Sequence, residues 1–169
     1  FMLIRPENKR KKEADEMRAS VRVGDEIITI GGGVCNEKEH NKLSQDVRVS
    51  ERALREIYLK PFEMCVKEGK AQGIMSSYNH LNGTPVSQNY DLLTNILRGE
   101  WDFEGHVVSD CWAIADFHMF HKIPDTAPES AALALKNGCD VNCGNTYIHM
   151  LAAYQEGLVT EEQITLSAE

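Results

Sequence analysis

Three apolar runs of strand length, at residues 73–79, 105–111 and 139–142, alternate with stretches whose apolar side chains recur at helical spacing. Strand and helix thus alternate three times in about 90 residues, a rhythm that favours parallel βα units. With right-handed crossovers the three strands lie side by side in sequence order. The pattern predicts an α/β fold, and three strands do not close a barrel, because an eight-stranded barrel takes about 250 residues.

The helices carry their own punctuation. Ser50 is placed to N-cap a helix with Glu51 in its first turn, and Leu54, Ile57, Tyr58, Phe62, Cys65 and Val66 fall on one face. Pro61 lies inside that pattern and predicts a kink, and Gly69 a stop. Asn82-Gly83-Thr84-Pro85 forms a turn, after which Leu92, Leu93, Ile96 and Leu97 share a helix face with Gly99 beyond its end. Thr126-Ala127-Pro128-Glu129 is a capping box with Pro just inside the helix, which runs to Gly138 with Ala131, Ala132 and Leu135 facing a core. Thr146 is expected to cap a further helix through Tyr154 that Gly157 ends, and Thr160 with Gln163 sets a second capping box. The Glu161-Glu162 pair is a solvated face.

Within this frame the run Gly105-His106-Val107-Val108-Ser109-Asp110-Cys111 ends abruptly in a carboxylate. A buried parallel strand would deliver Asp110 to its C-terminal edge, where active sites of barrel and open α/β folds sit. Asp also turns the chain after a strand, and the run alone leaves both roles open.

Residues 1–33 differ from the rest. They carry 7 Lys/Arg against 6 Asp/Glu, whereas residues 34–169 carry 11 against 20, for a net charge of -8. That balance argues against a nucleic-acid groove, which needs a basic face to neutralise phosphates. Residues 6–20 read as a charged helix opened by Pro6, and residues 21–30 as two short strands around Gly24-Asp25, closed by Gly31-Gly32-Gly33. The triple glycine lacks the GxGxxG spacing of a phosphate loop. Residues 34–49 are polar and irregular, with Asn36, Glu37, Glu39, His40 and Asn41 in close order.

Five cysteines, Cys35, Cys65, Cys111, Cys139 and Cys143, form no zinc-type CxxC pair, and their odd number leaves one unpaired. A cytoplasmic, reducing setting is favoured over a secreted one. His118, His121, Cys139, Cys143 and His149 supply soft ligands, but no metal and no cofactor is expected. Cys111 and Cys143 follow two adjacent predicted strands, so a disulfide between them stays open.

Two resemblances rest on particular residues. Phe1-Met2-Leu3-Ile4-Arg5-Pro6, the basic helix and Val23-Gly24-Asp25-Glu26-Ile27-Ile28-Thr29-Ile30-Gly31-Gly32 resemble the YajC family, an accessory subunit of the bacterial preprotein translocase. That likeness covers residues 1–33 and implies a membrane association only through a hydrophobic segment upstream of them. Val49-Ser50-Glu51-Arg52-Ala53-Leu54-Arg55-Glu56-Ile57-Tyr58-Leu59, Met75-Ser76-Ser77-Tyr78-Asn79, Leu97-Arg98-Gly99-Glu100-Trp101, Val107-Val108-Ser109-Asp110-Cys111 and Gly138-Cys139-Asp140-Val141-Asn142-Cys143-Gly144 resemble glycoside hydrolase family 3, of the β-glucosidase and β-xylosidase type.

The second resemblance implies that residues 34–169 form the C-terminal portion of a (β/α)8 TIM-type barrel, a partial barrel of about three βα units. It implies a retaining β-glycosidase acting on a β-linked oligosaccharide or glycoside, with Asp110 as nucleophile and with Tyr78 and Met75 lining the sugar pocket. Met75 reads equally well as core. The family's Lys-His pair that holds sugar hydroxyls maps onto Gly31 and Gly32, neither of which has a side chain for the task, and the acid/base is expected outside this chain. Three expectations follow: a glycosidase segment with little activity alone, a translocase-type accessory protein with a replaced C-terminal part, or a barrel fragment without activity. In any of them exposed barrel edges favour self-association.

Overall fold

A computed structural model describes residues 43–44 and 46–169 of the chain. The readings on residues 1–33, on Cys35 and on the polar cluster from Asn36 to Asn41 lie outside the described residues.

The centre of the fold is a parallel ladder. Strand β2 (Gly73–Met75) pairs with β5 (His106–Val108) in the register Gly73 to His106, Ile74 to Val107 and Met75 to Val108. Val108 in turn bridges in parallel to Val141, so the three expected strands do lie side by side in order. They are shorter than their apolar runs, and the third is a single bridge. After Met75 the chain leaves the ladder because Ser76, Ser77 and Asn79 turn into a buried polar cluster of their own. There Ser76 Oγ lies 2.8 Å from Ser87 Oγ, Ser77 Oγ donates to Asn79 Oδ1 at 2.8 Å, and Ser87 Oγ donates to the Ser77 carbonyl at 3.1 Å. Satisfied inside the protein, such groups fix the turn that a solvated loop would leave loose.

Beside this ladder β1 (Asp46–Val47) pairs parallel to β3 (His80–Leu81), which forms a hairpin with β4 (Thr84–Pro85). The hairpin turn falls at Asn82 and Gly83, both at positive φ, 52° and 91°, as a two-residue turn that follows strand twist requires. Pro85 takes an edge, where its missing N–H costs no ladder bond.

Helices cover the ladder. α1 (Glu51–Ala53) starts at Ser50, whose Oγ accepts the Ala53 N–H at 3.2 Å. It widens through Leu54–Tyr58 and hands over to α2 (Lys60–Lys67). Pro61 therefore stands in the first turn of a new helix, where its absent N–H is unneeded, instead of kinking one long helix. Gly69 follows the end of this helix as expected, its N–H returning to the Met64 carbonyl at 3.0 Å, and the left-handed position falls on Lys70, at φ 55°. The helix Asp91–Glu100 is wound wide, with the Trp101 N–H reaching the Ile96 carbonyl, and it contains Gly99. Its left-handed stop is Asp102, at φ 55°.

The later helices follow the sequence closely. α3 (Ala127–Lys136) has the full capping box of Thr126 and Glu129, and Gly138, at φ 102°, closes it while the Cys139 N–H returns to the Ala134 carbonyl at 3.0 Å. α4 (Met150–Gln155) ends at Gly157, and α5 (Glu161–Ala168) begins with the box of Thr160 and Gln163. Thr146 does not cap. It lies buried inside the helical turn Thr146–His149, where its side chain packs and no cap bond forms.

Leu59, Val86, Val107, Ile114 and Phe117, each at most 2% exposed, form the densest part of the core between ladder and helices. Burying each contributes about 1.5 to 3 kcal/mol. Among the described residues no helix is long and apolar enough to cross a membrane.

Candidate active site

Asp110 stands two residues beyond β5, at the C-terminal end of the parallel ladder, and is partly exposed. Its Oδ1 accepts the Cys111 N–H at 2.8 Å, and its backbone carbonyl accepts the Ala113 N–H at 3.1 Å. No other residue among those described bonds the carboxylate, so its remaining lone pairs face outward.

The backbone around that carboxylate is held from three sides. From the β2 side, Tyr78 donates its hydroxyl to the Cys111 carbonyl, a reach set by the locked turn 76–79. Beneath it, the fully buried Ser109 donates its N–H to the Val141 carbonyl at 2.8 Å, and its Oγ accepts the Cys143 N–H at 3.0 Å and the Asn142 amide at 3.3 Å. On the third side, Cys111 and Cys143 form a disulfide, and the Trp112 N–H donates to the Cys143 carbonyl at 2.7 Å. The bond that the cysteine spacing left open is therefore made.

Of the sequence candidates, the structure brings Tyr78 to the backbone of Cys111, the residue after Asp110. Met75 lies opposite Val108 in the ladder and is half-buried, lining a cavity of about 30 Å³ with Leu59, Phe62, Ile74, Leu93 and Trp101, which are core residues or pack against the core. The soft-ligand candidates are not brought together: Cys143 is in the disulfide, and Cys139 is buried, its thiol pushed up to about 12 by burial first and then by Asp140. His118 Nδ1 lies 2.9 Å from Ser130 Oγ, and His121 packs edge-on against His80 with ring centroids 4.3 Å apart. Among the described residues no group of three or more His, Cys, Asp or Glu could hold a metal ion.

Three features escaped the sequence. Trp112 is 55% exposed two residues from Asp110 and holds a left-handed backbone at φ 70°; an aromatic directly after a strand-end acid was the available signal. His121 has a buried Nε2 without a partner, and burial, then the neighbouring His80, lowers its pKa to about 4. Arg98 reaches Asp140 Oδ2 at 2.6 Å and the Gly105 carbonyl at 3.1 Å, a link across 42 residues with no local trace in sequence.

A cavity of about 460 Å³ lies elsewhere, between Arg55, Asn82, Asn89, Asn95 and Glu100. Its polar groups are engaged with one another: Arg55 binds Glu51 and Glu100, Asn95 binds Asp91, Asn89 caps the Leu92 N–H, and Asn82 holds Val49. It is a solvated crevice, and Asp110, Tyr78 and Met75 do not line it.

Known proteins share this sequence and this geometry. The curated "Probable exo-1,4-beta-xylosidase bxlB" of Aspergillus clavatus is 42% identical over 123 residues, 70% of this chain and 16% of that protein. "Beta-glucosidase A" of Butyrivibrio fibrisolvens is 45% identical over 107 residues, 63% of this chain and 13% of that protein. A solved "GH3 exo-beta-xylosidase (XlnD) in complex with xylobiose aziridine activity based probe" superposes with a TM-score of 0.72 at 29% identity, covering 75% of this chain and 17% of that one. The chain thus spans about a sixth of the relatives it matches, and its ladder belongs to an α/β fold of the TIM-barrel type. The profile of the Glycosyl hydrolase family 3 N terminal domain matches residues 11–169, and the chain belongs to that family.

Proposed function

We propose that this chain carries the nucleophile of a retaining β-glycosidase acting on terminal β-D-glucosyl or β-D-xylosyl residues, with Asp110 as that nucleophile. The observation that carries the reading is the position of Asp110: a partly exposed carboxylate with free lone pairs at the C-terminal end of a parallel ladder, on a backbone fixed from three sides. In such a mechanism the carboxylate oxygen attacks the anomeric carbon from one face while a carboxylic acid protonates the departing oxygen from the other. Trp112, two residues after Asp110, is exposed, and its indole is an apolar plane of the kind that packs on a sugar ring. Tyr78 positions the Asp110 loop, and Met75 shapes the wall of the ladder beneath it. No acid/base is assigned among the described residues, so slow turnover of substrates whose leaving group needs protonation is expected. Among the described residues the ladder has no strand beyond Val141, and this edge together with exposed Ile148 and Leu151 supports self-association.

The test separates the nucleophile from the missing acid. A 2,4-dinitrophenyl 2-deoxy-2-fluoro-β-glucoside or β-xyloside has a leaving group that departs without protonation, so attack needs the nucleophile alone. The Asp110 oxygen bonds to the anomeric carbon, dinitrophenolate departs, and the fluorine slows hydrolysis of the ester. The expected result is one added fluoroglycosyl mass mapping to the peptide that contains Asp110, absent in Asp110→Asn. Labelling elsewhere, or labelling that survives Asp110→Asn, rules the assignment out. An aryl β-glycoside with a poorer leaving group, such as p-nitrophenyl, is expected to release negligible phenol with the chain alone.

A further inference from the structure

We infer that the Cys111–Cys143 disulfide is a redox-operated clamp on the loop that carries Asp110, holding that loop in its working shape only while oxidised. The bond joins the residue directly after Asp110 to the end of the neighbouring strand, with the two Cα atoms 4.4 Å apart and 32 residues between them in sequence. Three non-covalent ties in the same corner involve the two cysteines: Trp112 N–H to Cys143 carbonyl, Cys143 N–H to Ser109 Oγ, and Tyr78 hydroxyl to Cys111 carbonyl; Ser109 is tied besides to the Val141 carbonyl and the Asn142 amide.

The first two of these bonds run between Cys143 and close neighbours of Cys111, so they depend on the two cysteines staying adjacent. Trp112, immediately after the crosslink, holds φ 70°, a conformation that a bulky residue keeps only where its surroundings impose it. Gly144, immediately after the other half, is at φ 136°, and a Cβ there would lie 3.5 Å from the Trp112 nitrogen. The loop is thus bent on both sides of the bond. Cys111 is the exposed half of the pair and Cys143 the partly buried one, which makes Cys111 the half that a thiol reaches first.

A dithiol reductant supplies the two electrons. Its thiolate attacks one sulfur, the S–S bond breaks to a mixed disulfide, and its second thiol closes the reductant's own ring. Cys111 and Cys143 are left as thiols after taking up two protons. Freed, Trp112 relaxes toward negative φ and its hydrogen bond to Cys143 lapses.

Hydrogen–deuterium exchange on the full chain, with and without dithiothreitol and again in Cys143→Ser, tests the clamp. Exchange at the amides of Trp112 and Cys143 is expected to rise at least ten-fold more than any change across Ala127–Lys136. Unchanged protection at those two amides overturns the proposal, because the hydrogen bonds then suffice. An equal rise across Ala127–Lys136 also overturns it, because the bond is then a general staple. The consequence for catalysis rests on the nucleophile reading and is measured separately with the dinitrophenyl fluoroglycoside. Reduction is expected to lower the maximal labelling rate at Asp110 at least ten-fold, with the half-saturating concentration unchanged within three-fold. A labelling rate insensitive to reduction removes the catalytic half, whereas no labelling of the oxidised protein removes the nucleophile reading and leaves the exchange result to decide the clamp.

Discussion

Asp110 and Asp140 sit on neighbouring strands of one ladder, and their carboxylates have opposite fates. Asp140 is consumed by the fold: Oδ2 accepts Arg98 Nη2 at 2.6 Å and the Val107 N–H at 2.7 Å, and Oδ1 accepts Ser167 Oγ at 3.2 Å. Asp110 accepts one N–H, from the residue beside it. One acid ties the lower ends of the strands to the helix Asp91–Glu100 and to α5; the other is left with lone pairs to give to a substrate. Position along the strand decides which, since the N-terminal end of such a ladder serves stability and the C-terminal end chemistry.

The sharpest way to break this contrast is to exchange the acids for their amides. Asp110→Asn is expected to abolish trapping of the fluoroglycoside, by a factor of about 10³ or more, while shifting the denaturation midpoint little, because the amide oxygen can still accept the one neighbouring N–H. Asp140→Asn should do the reverse. It leaves Arg98 half-buried without its counter-charge and costs about 2 to 3 kcal/mol in chemical denaturation. A stability loss from Asp110→Asn as large as that from Asp140→Asn would erase the distinction.

Acid should act on the fold through a third group, His121. The folded state holds His121 neutral, with a pKa of about 4 set mainly by burial, against about 6.5 when unfolded. The unfolded chain therefore binds the proton first. The stability from a neutral His121 is present above pH 6.5 and is lost as pH falls from there toward 4. Burial lowers His80 and His118 in the same direction. Denaturation midpoints across that window should fall with pH in the native chain and fall less steeply in His121→Gln; parallel slopes would assign the acid response to other groups.

The smallest effect concerns a carboxylate that is as fully engaged as Asp140 yet lies at the surface. Glu129 Oε2 accepts the N–H groups of Asp125 and Thr126 and the Thr126 hydroxyl, at 3.1, 2.9 and 2.8 Å. Thr126→Ala breaks that box and is expected to cost about 1 kcal/mol without touching Asp110 labelling. A change in labelling would mean that α3 and the candidate site are coupled.

What could be read from the residues was what is local. Ser50, Thr126 and Thr160 cap as their spacing predicts, and Gly138 and Gly157 end helices, because each uses atoms within a few residues. Asp110 at a strand end and the order of the three strands follow from apolar runs and crossover handedness. Contacts between distant segments left no period to detect: Arg98 with Asp140, Tyr78 over Cys111, His80 against His121. Gly69 follows its helix end as its spacing predicts, whereas the stop at Gly99 is misplaced: the helix runs on to Glu100 and the left-handed position falls on Asp102, so glycine spacing alone set that stop too early. Thr146 shows the converse, a residue of capping type whose burial left it no helix end to serve.

The Arg98–Asp140–Ser167 link also bears on how such a chain can change. With Arg98, Asp140 and Ser167 anchoring the ladder from below and Ile114 and Phe117 holding the segment above it in the core, the exposed side chains of Trp112, Met119, Phe120 and Ile123 carry little of the load of staying folded. Substitutions at those four positions can accumulate and be sorted by what they bind, and a library confined to them should return mostly folded variants.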